Sequence, residues 1–121
     1  MNRPNPVREK SFAFALRIVK LAKYLQTEKK EFVLSKQILR SGTAIGALVR
    51  EAEHAQSKAD FSHKMSIALK EANETDYWLD LLHQSDYLAT DRYASIQPDI
   101  QELIKLLVSI VKTSKGLHGD Q

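Results

Sequence analysis

The sequence predicts an all-α protein, an up-down-up-down antiparallel four-helix bundle. Apolar and small residues recur at alternating steps of three and four along most of the chain, the spacing of a single helix face. Only four Gly and three Pro interrupt its 121 residues. Short polar connections near residues 28–31, 57–60 and 86–90 separate the periodic stretches. Connections that short join antiparallel neighbours. The expectation is one domain over residues 1–121, with helices at about 6–27, 32–54, 58–85 and 91–114.

Helix one opens on Asn5-Pro6: Asn caps well, and Pro suits the first helical position. One stripe holds Phe14, Ile18, Leu21 and Leu25, and a neighbouring one holds Phe12, Leu16 and Val19. The polar side carries Lys10, Arg17, Lys20 and Tyr24. Glu28-Lys29-Lys30-Glu31 follows as a charged turn without apolar periodicity. Helix two repeats Leu34, Ile38, Ser41, Ile45, Val49 and Ala52 on one face. Gly42 and Gly46 lie within it, each costing about 1 kcal/mol against Ala. Small residues at mid-helix make sense where another backbone comes close.

Ser57 can cap helix three, and Asp60 offers an acidic group to its first turn. The main stripe there is Phe61, Met65, Ala68, Ala72, Thr75, Leu79 and Leu82. A flanking stripe of Ile67, Glu71, Glu74, Trp78 and Leu81 widens it to an arc of roughly 200° at ~100° per residue. An outer helix needs less. The excess implies either a deeply buried helix or a subunit interface that includes Trp78 and Leu81. Thr90 can cap helix four, and Pro98 predicts a kink or a restart, with Gln97 or Ser95 as the new cap. Beyond it Ile100, Leu103, Leu107, Ile110 and Val111 form the last stripe. Gly116 reads as a stop, followed by a disordered tail to Gln121.

With no Cys the chain has no disulfide, thiolate metal site or Cys nucleophile. No apolar run approaches the ~20 residues that span a bilayer. A soluble cytoplasmic protein, not a membrane one, is expected. The net charge of +3 is uneven: residues 1–30 hold eight bases against two acids, and residues 61–90 hold two bases against five. Either the basic helix one and the acidic helix three complement each other within the bundle, or helix one presents a surface to nucleic acid. Arg3, Lys10 and Arg17 are spaced by seven, with Lys20 and Lys23 following, so a cationic stripe is expected outside helix one. It would contact mainly phosphates.

Glu51-Ala52-Glu53-His54 and Asp80-Leu81-Leu82-His83 resemble the carboxylate-x-x-His units of di-iron bundles. An antiparallel hairpin puts their histidines at opposite ends, ~30 Å apart at 1.5 Å per residue, too far to share a metal. His54 and His63, with Glu51 and Asp60, gather at one end and are read as solvated. Arg40, Glu51, Glu71 and Glu74 fall on or beside apolar stripes, where a charge needs a partner. They are read as structural ion pairs between helices or subunits. Tyr77-Trp78 with Tyr24 could stack on bases but suits packing better. No phosphate loop, nucleophile elbow or triad pattern is present. Neither a catalytic centre nor a cofactor is expected.

The run Gln37-x-x-Arg40-Ser41-Gly42-Thr43-x-Ile45-Gly46-Ala47, then Arg50-Glu51-Ala52, resembles a known family. So do Ala55-Gln56-Ser57-Lys58-x-Asp60-Phe61 and Ile67-Ala68-Leu69-Lys70-Glu71-Ala72-x-Glu74-Thr75-x-Tyr77-Trp78-Leu79. It is the bacterial four-helix-bundle family of proteins encoded by intervening sequences in 23S ribosomal RNA genes. Ala44 and Leu48 stand where similar members carry Ser and Asn. The resemblance implies a homopentamer with no established catalytic activity. It extends to the accessory protein of diversity-generating retroelements, a basic pentamer that contacts reverse transcriptase and nucleic acid. The expectation is therefore a non-enzymatic oligomeric scaffold whose partners are copies of itself and RNA or DNA, or else a reverse transcriptase or other protein. The alternative is a purely structural or protein-partner module.

Overall fold

The computed structural model describes the backbone of residues 5–119 and the side chains of residues 5–116. Arg3 of the expected basic stripe, and the last two residues of the tail, lie outside them. Four helices are described: α1 (Pro6–Thr27), α2 (Leu34–Ala52), α3 (Lys58–Gln84) and α4 (Thr90–Gly119). They pack in chain order, α1 on α2, α2 on α3 and α3 on α4, and α4 returns to α1. The chain is an all-α four-helix bundle of sequential antiparallel neighbours. The α1/α4 seam is the most open of the four.

The starts of α1, α2 and α3 each have an identifiable side-chain cap. Asn5 Oδ1 accepts from the Arg8 amide at 3.2 Å, and Ser57 Oγ accepts from the Asp60 amide at 3.0 Å. Helix α2 begins two residues later than its pattern suggests, because Glu31 caps it from outside. Its carboxylate accepts from the amides of Val33 (3.1 Å), Leu34 (2.9 Å) and Ser35 (2.7 Å). Lys30, at φ 54°, turns the chain back so that Glu31 can do this. Phe32 and Val33 are consequently outside the helix and exposed.

The core runs the length of the bundle. Phe14, Ile18 and Leu25 of α1 meet Ile38 and Ile45 of α2, Met65, Leu79 and Leu82 of α3, and Ile100, Leu103 and Leu107 of α4. A hydroxyl pair crosses it: Ser41 and Thr75, both fully buried, meet at 2.9 Å. At Pro98 the restart, one of the two outcomes expected there, does not occur, and the stop expected at Gly116 is corrected. The helix passes Pro98 without a restart, and it passes Gly116, since no described glycine adopts the positive φ of a helix-ending turn. Ile96 and Ile100 flank Pro98 and are both buried, so a restart would rotate one of them out of the core. Losing one such side chain from the core would cost about 1.5–3 kcal/mol, enough to offset most of the about 3 that a mid-helix proline costs.

Candidate nucleic-acid and subunit interfaces

The four cations expected to face nucleic acid divide into two pairs. Lys10 Nζ lies 3.0 Å from Glu102 and Arg17 Nη1 lies 2.7 Å from Asp99, so both bind across the open seam to α4. Arg17 also donates to the Ser95 carbonyl at 3.0 Å and to Ser95 Oγ at 2.8 Å. That carbonyl lies one residue after that of Ala94, the acceptor that Pro98 leaves without its helical donor. Lys20 and Lys23 are exposed and have no carboxylate partner among the described residues. Arg92 of α4, which sequence reasoning did not single out, lays its guanidinium 3.9 Å from the Tyr24 ring centroid.

Arg40, Glu71 and Glu74 converge on the α2/α3 face. Arg40 Nη1 lies 3.3 Å from Glu71, its Nη2 is paired with Glu74, and the Trp78 indole donates to Glu74 at 3.1 Å. Both carboxylates are largely buried on α3, while the arginine reaches them from the surface. Glu51 is elsewhere, paired with Lys64 at 3.1 Å. Trp78 is half-buried against the bundle's own core, and Leu81 is half-buried beside it. A run of exposed apolar side chains lies on α1. Phe12, Leu16 and Val19, spaced four and three apart, are 50%, 52% and 49% exposed. The Arg50 guanidinium lies 5.0 Å from the Phe12 ring centroid.

At the α3/α4 seam, Asp76 accepts from Gln101 Nε2 at 3.1 Å. Burial raises its carboxyl above the usual aspartate range; the Gln101 bond opposes that, and the Asp80 charge adds to it. Tyr93 stacks on His83 at 4.2 Å between centroids, and its phenol is raised by burial and by the charges of Asp80 and Asp76. Among the described residues no three His, Asp or Glu side chains gather as a metal site would require. Nor is any described helix long and apolar enough to cross a membrane.

The bundle thus combines ion pairs between its helices with an apolar stripe on α1 left exposed. The chain belongs to the 23S rRNA-intervening sequence protein family, whose model matches residues 3–109. It is similar to a solved protein of unknown function from the S23 ribosomal protein family of Bacteroides thetaiotaomicron. The two are 61% identical with a TM-score of 0.86, over 88% of this chain and 98% of that one. Among curated proteins none matches.

Proposed function

We propose that the protein is a non-enzymatic scaffold that assembles from identical subunits and binds RNA or DNA phosphates through exposed cations of α1. The observation that carries the assembly is the Phe12, Leu16 and Val19 stripe, half exposed in the single chain at helical spacing. A continuous apolar stripe on a helix asks for a second helix surface. The ring of five subunits that the family resemblance implies would supply one and repeat Lys20 and Lys23 on every subunit. The non-enzymatic reading is supported by Glu71 and Glu74, two partly buried carboxylates beside the core, which are held by Arg40 instead of facing a cleft.

A second reading has its own support. Lys10 and Arg17 spend their charge on Glu102 and Asp99, as they would in a purely structural or protein-partner module. A reverse transcriptase or another protein would then be the partner sought. Two measurements separate these. Light scattering at micromolar concentration should return a mass several times the 13.8 kDa of one chain; a monomer mass would remove the scaffold assembly. Single-stranded RNA or DNA should be retained at ~50 mM salt and released as salt rises. Absence of retention would leave the structural module.

A further inference from the structure

The open α1/α4 seam contains a groove of about 310 Å³, and its walls differ sharply in chemistry. Leu21, Leu88 and Ile96 form a buried apolar floor, and Arg17, Lys20 and Arg92 form the rim. Of the three cations only Arg17 has a carboxylate within 4 Å among the described residues. The rim therefore keeps excess positive charge beside a low-dielectric floor, an arrangement suited to an anion with an apolar part. Arg92 adds a flat element. One face of its guanidinium rests on Tyr24. The side chain is exposed and lines the groove, so its other face is open to a planar group. Arginine planes and aromatic faces are what unpaired bases stack on.

We propose that this groove takes one nucleotide of a single-stranded RNA or DNA, its phosphate held by Lys20 and its base stacked on the Arg92–Tyr24 pair. The inference rests on the nucleic-acid reading above and names the site for it. A base inside a duplex cannot reach the groove, so single strands should bind more tightly than a duplex. Contact is with a phosphate and a π-face, so sequence preference should be weak.

The test is fluorescence anisotropy with a labelled oligo(U) and a hairpin duplex of similar length, at ~50 mM salt and upward. The wild type should favour the single strand. Lys20→Gln should weaken binding and make the salt slope shallower by about 0.7, the share of one phosphate on a single strand. Arg92→Lys keeps the charge and loses the plane, so affinity should fall on the order of tenfold with the slope retained. Lys36→Gln, an exposed position on α2, should bind like wild type. Matched circular dichroism and melting curves would confirm that each variant folds. If Lys20→Gln and Arg92→Lys bind as tightly as wild type, or Lys36→Gln loses as much as they do, the groove is overturned while the broader reading survives. Equal affinity for duplex and single strand would also overturn it. A wild type that binds neither overturns both.

Discussion

A β-carbon built at Gly42 would lie 2.8 Å from Ile18 Cγ1 and 2.9 Å from its Cγ2. Ile18 is fully buried and β-branched, a residue type with one strongly preferred χ1 rotamer in a helix, so it gives way poorly. Gly46 differs, since its β-carbon would approach the Ser11 backbone at 3.4 Å, an ordinary contact. The close backbone approach expected along α2 therefore exists at Gly46, whereas Gly42 makes room for a side chain. Gly42→Ala should destabilise by about 1–3 kcal/mol despite the gain in helix propensity. Gly46→Ala should be neutral or stabilise by up to about 1 kcal/mol. Urea unfolding midpoints of the two variants would check this, and equal effects would refute it. Asp76 gives a pH-dependent counterpart. Its raised carboxyl holds a proton to higher pH when folded than when unfolded. Its contribution is therefore most favourable below the unfolded aspartate pKa and declines as pH rises through the folded one. Asp76→Asn removes that decline, so the variant should exceed wild type in stability at pH 7 and lose the advantage near pH 3. Solvent screens this half-buried group, and the difference should stay below about 1 kcal/mol in paired thermal melts.

At the scale of whole helices, legibility followed how local the determining contacts are. The caps of α1 and α3 could be read because Asn5 and Ser57 sit next to the amides they satisfy. The Glu31 cap could not, since it depends on Lys30 adopting a left-handed conformation that sequence spacing does not reveal. The engagement of Lys10 and Arg17 was equally hidden. It depends on how α4 is rotated against α1, the two elements furthest apart in the chain. Pro98 sets the same limit. A local rule predicts a break there, and the buried Ile96 and Ile100 on either side override it. The exposed proline ring contributes little packing. Pro98→Ala should therefore restore a backbone bond and stabilise the protein by up to about 3 kcal/mol, seen as a higher urea midpoint. A lower midpoint would mean that the proline's restriction of the unfolded chain outweighs the missing backbone bond.

For the molecule as a whole, one variant couples the assembly to nucleic-acid binding. Leu16 is the middle residue of the α1 stripe and is 52% exposed, so replacing it removes little from the core. Leu16→Gln puts an uncharged polar amide where a second subunit would bury an apolar surface, at a desolvation cost of about 1–3 kcal/mol per subunit contact. The bundle should fold with unchanged helicity, and light scattering should return the monomer. Each monomer still carries Lys20, Lys23 and Arg92, so the intrinsic affinity for one nucleotide is untouched. What is lost is the effective concentration that a ring imposes on neighbouring sites along one strand. Apparent affinity for a long single strand should then fall on the order of 10²-fold, while affinity for an oligonucleotide too short to bridge two subunits stays close to wild type. The salt slope should drop in step, since fewer phosphates are neutralised per bound unit. A monomer that binds long and short strands as the wild type does would separate the two halves of the proposed function. The stripe would then serve assembly alone, and the cations would act one subunit at a time.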